Sequence, residues 1–154
     1  MTLEEKDIPR ILENAKAIIE DGEGHKLERI CTMLRKEIDH YDWVGFYIVE
    51  SGRERELILG PYSGEPTEHT RISFGQGICG QAADTGRLFL IQDVSRETNY
   101  LSCSPEVRSE IVLPIFRSGE LAGELDIDSH QLEPFTETDE KLLGEICVMA
   151  APLL

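Results

Sequence analysis

The chain has 154 residues, and its 30 acidic against 15 basic side chains give a formal net charge of −15 at pH 7. This length supports one hydrophobic core, so we expect a single domain over residues 1–154. The charge repels nucleic acid and anionic lipid, and no run approaches the roughly 20 apolar residues of a membrane span. We therefore expect a small-molecule partner, no nucleic acid and no membrane, and the charged start MTLEEKDIPR, without an apolar signal core, predicts a cytoplasmic protein.

Helical spacing of apolar residues predicts two helices before Trp43. The first follows a Thr2/Glu5 capping box and ends at the glycine-rich break over residues 21–24. The second carries Cys31 on its apolar stripe, so we expect this thiol in the core.

From Trp43 the period of the pattern changes to two, which predicts strands over WVGFYIVE, over ELILGPY after a Ser51-Gly52 turn, and over residues 70–74. The segment ICGQAADTG predicts a short helix that ends at Gly86, and RLFLIQDV predicts the next strand. A loop over residues 95–105 follows, and its length suggests a function.

The last third of the chain predicts a hairpin and a helix. IVLPIF and ELAGELDID flank a Ser118-Gly119 turn, and a Thr136/Asp139 cap opens a helix that holds Cys147 among its core residues. The order of elements predicts an α+β fold, in which one mainly antiparallel sheet has the terminal helices packed on one face.

Alternation along LAGELDID places Glu124, Asp126 and Asp128 on one face of the last strand. Successive acids are then roughly 6–7 Å apart, about the span of the polar groups of a small ligand. We interpret Glu124 as part of a solvated face, and Asp126 and Asp128, deeper in an apolar frame, as ligand-binding residues. Asp126, Asp128 and His130 at one strand end are too few to predict a metal site, so we expect neither a metal ion nor another cofactor.

Glu110 presents a problem of strand register. A two-residue hairpin turn pairs Glu110 with Ile127 and points its side chain away from the acids. Proline inside a strand marks an edge or a bulge, so we predict an extra residue at Pro114 that brings Glu110 onto the face of Asp126. A regular ladder through Pro114 would remove Glu110 from the site.

The four cysteines form no CxxC pair and no zinc spacing, so we expect free thiols in a reducing compartment. Cys103 lies in a polar loop without apolar periodicity, which favours a reactive thiol over a tolerated surface cysteine, and Arg96 or Arg108 could stabilise its thiolate. Cys79 lies in the first turn of the short helix, where the helix dipole lowers a thiol pKa. A small packed residue beneath the turn is an equal alternative for Cys79.

Two further patterns concern ligand binding. Glycines at positions 75, 77 and 80 spell GxGxxG, but no parallel βαβ unit surrounds them, so we expect only that N–H groups of Gly77 to Gly80 face an anionic group. On the first strand, Trp43 and Tyr47 share a face with Gly45 between them. This predicts either a slot for a methyl, thioether or cationic group, or plain aromatic core.

Five segments together indicate a family: WVGFY from Trp43, LGPY from Leu59, GQGICG from Gly75, RSEIVLP from Arg108 and LDIDS from Leu125. They resemble the stand-alone GAF domain proteins that act as free methionine-(R)-sulfoxide reductases, and the resemblance covers nearly the whole chain. SEI-x-x-P and LDIDS are shared with many GAF sensor domains, whereas WVGFY followed by LGPY is similar to the reductase group.

The resemblance implies a six-stranded GAF sheet and a closed pocket that takes a free amino acid. It places the catalytic cysteine on Cys103, and the substrate-binding residues on Trp43, Tyr47, Glu110, Asp126 and Asp128. The implied chemistry is attack of the Cys103 thiolate on the sulfoxide sulfur, with Glu110 or Asp126 as proton donor. A second cysteine then forms a disulfide, which thioredoxin reduces.

Two features depart from the family pattern. His69 stands where the family has another cysteine on the loop over the pocket, and the loop from Thr98 to Cys103 is more similar to ordinary GAF sensors than to the reductases. Cys79 matches the family's remaining cysteine and becomes the expected partner of Cys103. Two hypotheses follow: a reductase of free L-methionine-(R)-sulfoxide, and a non-catalytic GAF sensor that binds a small metabolite and forms a homodimer through its terminal helices.

Overall fold

A computed structural model describes residues 2–50, 55–102 and 104–154. The helices in these ranges are α1 (Ile8–Glu20), α2 (Lys26–Glu37), α3 (Gly77–Thr85) and α4 (Glu137–Ala150). The strands are β1 (Trp43–Val49), β2 (Glu56–Ser63), β3 (Arg71–Ser73), β4 (Phe89–Ile91), β5 (Ser109–Arg117) and β6 (Glu120–Ser129). The expected Ser51-Gly52 turn lies outside the described residues.

The described strands form one sheet in the order β3-β2-β1-β6-β5-β4, in which every neighbouring pair is antiparallel. The predicted hairpin joins β5 to β6, and Ser118 and Gly119 both have positive φ, as the two central residues of a type I′ turn require. The α+β prediction is therefore confirmed, with the six strands that the family resemblance implies.

One face of the sheet carries the apolar core. Helices α1, α2 and α4 pack there against apolar side chains of β1, β5 and β6, among them Val44, Phe46, Ile111, Leu125 and Ile127. Cys31 and Cys147 are buried in this core, as predicted.

The two predicted helix caps have different outcomes. At α4 the capping box is present, because Thr136 N–H donates to Asp139 Oδ2 (2.8 Å) and the Thr136 side chain accepts from Thr138 N–H. At α1 the Thr2/Glu5 box is wrong, since Glu4 N–H instead donates to Asp7 Oδ2 (2.9 Å). Asp7 is the last polar residue before the apolar stripe begins, and proline follows in the first turn, where its missing N–H costs nothing.

The other face of the sheet is covered by α3, which ends at Gly86 in a left-handed conformation (φ 66°), as predicted. Ile78, Cys79 and Ala82 of α3 pack against a second cluster of buried side chains that includes Trp43. The candidate site lies between α3 and the sheet. In the described part of the chain, no helix is both long enough and apolar enough to cross a membrane.

Candidate active site

Three acids of β6 line up beneath α3. Glu124, Asp126 and Asp128 are 0%, 1% and 2% exposed, and they lie on the sheet face opposite to the apolar core. The predicted alternation is correct, but the interpretation of Glu124 as solvated is wrong. The pattern of a strand distinguishes its two faces, yet it does not reveal that a second layer, here α3, covers the polar one.

The register of β5 against β6 brings Glu110 into this row of acids, where it pairs with Asp128. The irregularity that permits this is real, but its predicted position at Pro114 is wrong, because the ladder skips Ala122 of β6 instead. Pro114 pairs regularly with Glu124 and lies beyond the last residue of β5 that β4 covers. Since β5 is an edge there, the proline needs no bulge.

The aromatic pair flanks the acids on β1. Trp43 pairs with Asp128 and Gly45 with Asp126, so the aromatic residues and the acids occupy adjacent rows of one face. The ring centroids of Trp43 and Tyr47 are 6.5 Å apart, and the indole of Trp43 leans over Gly45, where a Cβ would overlap it. The predicted slot above Gly45 is therefore partly filled by the indole ring itself.

Cys79 points from α3 into the acids. Its Sγ lies 3.9 Å from Glu110 Oε2, and one ligand atom each of Cys79, Glu110 and Asp126 lie within 4.8 Å of one another. Helix α3, β5 and β6 each contribute one of these three side chains. The fold thus brings together a thiol and two carboxyls that are far apart in the sequence.

Burial changes the acid–base properties of the row. Burial raises the pKa of Glu124, and the neighbouring Asp126 raises it further. Burial also raises the pKa values of Asp126 and Asp128. Both Glu124 oxygens and Asp126 Oδ1 lack a hydrogen-bond partner among the described residues. Carboxyls in such surroundings retain protons at pH values where exposed acids are ionised.

Of the two alternatives for Cys79, the structure favours the small packed residue over the activated thiol. Burial raises the pKa of its thiol well above the usual value, and the charges of Asp126, Glu124, Glu110 and Asp128 add to the effect. A helix dipole changes interaction energies by about 1 kcal/mol, which does not offset desolvation beside several acids. Cys79 is therefore a buried thiol in its protonated form.

The predicted anion site at the start of α3 is also corrected. Gly77 N–H donates to Asn99 Oδ1 (2.9 Å), and Gly80 N–H donates to the Gln76 carbonyl (3.0 Å). The Asn99 side chain also donates to the Gly75 carbonyl (2.8 Å), so it docks the loop after β4 onto α3. Sequence reasoning missed Asn99, whose only signal was its place in the long loop.

A closed cavity of about 10 Å³ lies at the centre of the site, and Tyr47, His69, Cys79, Leu101, Glu110 and Asp126 are among the residues that line it. Tyr47 Oη donates to the His69 carbonyl (3.0 Å), and His69 Nε2 donates to the Ser102 carbonyl (2.9 Å). This volume has room for about one water molecule. Two loops therefore meet over the acids and shut the site.

Cys103 lies outside the described residues. Of the cations considered as its partners, Arg96 has its Nε 3.5 Å from Asp93 Oδ2. Ser104, the next residue along the chain, lines a neighbouring pocket of about 130 Å³ together with Trp43 and Asp128. Trp43 and Asp128 thus border this second pocket, whereas Tyr47, Glu110 and Asp126 border the closed cavity.

Comparison with known proteins identifies the family. The sequence model of the GAF domain matches residues 25–153. GAF domain-containing protein A of Dictyostelium discoideum is 39% identical over 127 residues, which are 81% of this chain and 78% of that protein.

Two solved structures are similar over nearly the whole chain. The type II free methionine-R-sulfoxide reductase from Thermoplasma acidophilum has 36% sequence identity and a TM-score of 0.78, with 93% of this chain and 94% of that chain covered. The free methionine-R-sulfoxide reductase from Neisseria meningitidis, solved in complex with its substrate, has 36% identity and a TM-score of 0.83, with 94% and 84% covered. Sequence and fold agree that the chain belongs to the GAF domain family.

Proposed function

We propose that the chain reduces free L-methionine-(R)-sulfoxide to methionine, with Cys103 as the nucleophile. The observation that carries this proposal is one closed cavity in which an aromatic ring, a thiol and two acids meet, from Tyr47, Cys79, Glu110 and Asp126. The similarity to two proteins named as free methionine-R-sulfoxide reductases supports it.

The charges of the lining side chains indicate which part of the substrate each residue of the site binds. Among the described residues no lysine or arginine lines the cavity, so the acids attract the ammonium group of an amino acid rather than its carboxylate. Glu110, Asp126 and Asp128 bind that ammonium group. Trp43 and Tyr47 contact the methyl group and the sulfur, which suit aromatic faces.

Substrate entry requires the cavity to open, because a space of about 10 Å³ does not hold an amino acid. Opening separates the loop that carries His69 from the segment that carries Leu101 and Ser102. His69 Nε2 donates a hydrogen bond to the Ser102 carbonyl across this opening, and one such bond contributes about 1 kcal/mol net.

The reaction transfers one oxygen atom and two electrons. The Cys103 thiolate attacks the sulfoxide sulfur while a protonated carboxyl of Asp126 or Glu110 gives its proton to the sulfoxide oxygen. The oxygen passes to Cys103, which becomes a sulfenic acid, and methionine leaves. Burial, which raises the pKa of Asp126, keeps a proton available for this step near neutral pH.

Cys79 completes the cycle. Its sulfur attacks the sulfenic sulfur of Cys103, the hydroxyl leaves with the thiol proton as water, and a disulfide remains. Thioredoxin reduces that disulfide and is itself oxidised, and this reductant assigns the protein to the cytoplasm. Since His69 replaces the family's usual second cysteine, Cys79 is the partner thiol that the chain offers.

An NADPH-coupled thioredoxin assay on the two separated sulfoxide diastereomers tests the function. We expect consumption of the R form alone, and loss of consumption in Cys103→Ser. Cys147→Ser, which changes a thiol buried in the opposite core, is the matched control and should remain active. No turnover of the R form, or equal turnover in Cys103→Ser, would falsify the proposal.

A single-turnover experiment separates the roles of the two thiols. Without reductant, Cys79→Ser should still form one methionine per chain from the R sulfoxide, because Cys103 alone accepts the oxygen. With thioredoxin, the same variant should stop after this first turnover. Continued thioredoxin-dependent cycling in Cys79→Ser would contradict the role of Cys79 as partner thiol.

A non-catalytic GAF sensor is the second candidate, and His69 in place of a cysteine is the observation that favours it. It predicts a metabolite that binds with equal affinity to the wild type and to a Cys79→Ser/Cys103→Ser double variant, without a reductant-dependent product. Calorimetric titration of both proteins with methionine sulfoxide distinguishes the two functions.

Homodimerisation through the terminal helices is the proposed assembly. The exposed apolar side chains Leu88, Phe116 and Val148 border one groove beside α4, and such patches commonly mark contacts. Light scattering should show a dimer that Val148→Lys converts to a monomer. A monomeric wild type would contradict this assembly without affecting the proposed chemistry.

A further inference from the structure

The cluster of Cys79, Glu110 and Asp126 has the chemistry of a metal-binding site. The three side chains come from a helix and two strands, and their ligand atoms lie within 4.8 Å of one another. Tetrahedral Zn²⁺ with bonds of about 2.3 Å to sulfur and 2.1 Å to oxygen separates these two ligands by about 3.6 Å. Cys79 Sγ and Glu110 Oε2 are 3.9 Å apart, so these two atoms need to approach each other by only a few tenths of an ångström.

Unsatisfied buried oxygens provide an independent indication of a cation. Among the described residues Asp126 Oδ1 has no hydrogen-bond partner, although Asp126 is 1% exposed and lines the cavity. Both oxygens of the fully buried Glu124, next in the same row, also lack a partner in the described parts of the chain. Buried polar groups in native proteins are nearly always paired with protein, water or an ion. A cation at the cluster would give the Asp126 oxygen a partner.

The size of the cavity favours a single ion. Its volume of about 10 Å³ holds one water or one monatomic ion while the loops over it remain closed, whereas an amino acid requires them to open. The donor set selects the kind of ion, because a thiolate with carboxylates suits Zn²⁺ and other soft or borderline metals. Mg²⁺ and Ca²⁺ prefer ligand sets made of oxygen alone.

We propose that Cys79, Glu110 and Asp126 bind a thiophilic divalent cation such as Zn²⁺ at the bottom of the closed cavity. On binding, the thiol of Cys79 becomes a metal thiolate and its proton passes to solvent. The metal occupies the carboxylates that the proposed substrate needs, so it competes with that ligand. The metal site stands on the geometry of the cluster and does not require the proposed reductase function.

X-ray absorption at the zinc edge of the wild-type protein loaded with one Zn²⁺ gives the primary test. We expect one sulfur ligand at about 2.3 Å and oxygen ligands at about 2.0–2.2 Å. A coordination shell without sulfur, or the absence of tight binding in competition with a chelating dye, overturns the proposal.

Variants identify which thiol is the ligand. Cys79→Ser should weaken Zn²⁺ affinity by roughly 100-fold or more, because losing a direct ligand exceeds the effect of losing a group that supports one. Cys147→Ser removes a buried thiol in the other core and should leave the affinity unchanged. A Cys31→Ser/Cys103→Ser/Cys147→Ser variant, which retains Cys79 alone, should keep the sulfur ligand even if Cys79→Ser does not fold. Loss of sulfur from that variant's spectrum also overturns the proposal.

The outcomes for the metal and for the reductase are separable. Zinc coordination is measured without sulfoxide or reductant, so a chain that fails to reduce sulfoxide can still bind Zn²⁺. In an active chain, added Zn²⁺ should raise the apparent KM for the R sulfoxide, and a chelator should restore the original value. A value of kcat/KM for the R sulfoxide that added Zn²⁺ leaves unchanged would contradict competition at this cluster.

Discussion

The two sides of the sheet bury carboxyl groups in opposite ways. On the side of the apolar core, Asp139 at the start of α4 accepts hydrogen bonds from His40 Nε2 (2.7 Å), Tyr41 Oη (2.7 Å) and Thr136 N–H (2.8 Å). On the side of α3, Glu124 is equally buried, and neither of its oxygens has a partner within the described residues. Asp139 is thus hydrogen-bonded by the residues around it, whereas Glu124 is buried without a hydrogen bond from the described residues.

This difference changes the sign of the pKa shift. Although burial pushes the pKa of Asp139 upward, the hydrogen bonds from His40, Thr136 and Tyr41 outweigh it and hold the pKa below its usual value. For Glu124, burial and the adjacent Asp126 raise the pKa, and the thiol of Cys79 offsets only part of this. A satisfied buried acid stabilises the fold, and unsatisfied buried acids indicate where a ligand binds.

The largest expected effect follows removal of the satisfied acid. Asp139→Ala should lower the free energy of unfolding by about 3–5 kcal/mol, because it leaves buried donors of His40 and Tyr41 without an acceptor. Urea denaturation at neutral pH measures the loss. Glu137→Ala, an exposed acid in the same helical turn, is the control and should cost about 1 kcal/mol or less. Equal losses in the two variants would contradict the comparison.

Replacement of the unsatisfied acid should have the opposite sign. Glu124→Met keeps the length of the side chain and removes two buried oxygens without partners, so it should raise the free energy of unfolding by about 1–3 kcal/mol at pH 7. Glu120→Met changes an exposed acid of the same strand and should alter stability by about 0.5 kcal/mol or less. Destabilisation by Glu124→Met in the same urea experiment would show that Glu124 has a partner in solution.

The pH dependence of the two effects should also be opposite. The folded-state pKa of Glu124 is raised, so its contribution to stability is fully present below its unfolded pKa of about 4.3 and is lost as the pH rises. The advantage of Glu124→Met should therefore grow with pH, by at most about 1.4 kcal/mol per unit. The folded-state pKa of Asp139 is lowered, so the loss in Asp139→Ala should shrink as the pH falls below about 3.9. Urea titrations from about pH 3 to about pH 8 test both signs.

The smallest expected effect concerns the helix cap that helps to hold Asp139. Thr136→Ala removes the side chain that accepts from Thr138 N–H and donates to Asp139, and it should cost about 1 kcal/mol in thermal or urea unfolding. Thr136→Ser retains the hydroxyl and should recover most of the stability. A loss as large as that of Asp139→Ala would mean that the cap, rather than the hydrogen bonds of His40 and Tyr41, stabilises this acid.

Sequence periodicity was sufficient to predict most of the helices, strands and turns of the fold. Apolar spacing, the turn at Ser118-Gly119, the cap at Thr136 and the glycine that ends α3 each depend on neighbouring residues, so their signals are local. The pattern also identified Cys31 and Cys147 as core residues, because each falls on an apolar helical stripe. These features are confirmed by the burial and the backbone conformation of the same residues.

The site depended on contacts between distant parts of the chain, and there the local signals failed. The alternation of β6 predicted the face of the sheet on which Glu124 lies. The packing of α3 on that face is what buries it, and the sequence pattern does not show this packing. The helix dipole suggested an activated Cys79, whereas burial raises the pKa of its thiol and four acids of two strands add to that effect. Asn99 had no visible role until its loop met the start of α3. Each error concerns the environment of a residue rather than its identity.

The unpaired residue Ala122 determines which residues of β5 and β6 share a face of the sheet. Each residue added to or removed from one arm of a hairpin exchanges the two faces of everything beyond it, and the active row lies beyond Ala122 on β6. If Ala122 were paired in a regular ladder instead of being skipped, Glu110 would pair with Ile127, and its side chain would face away from Asp126 and Asp128. One unpaired residue of β6 thus determines whether Glu110 of β5 lies on the same face as Asp126 and Asp128 of β6. That residue, Ala122, has no part in the proposed chemistry.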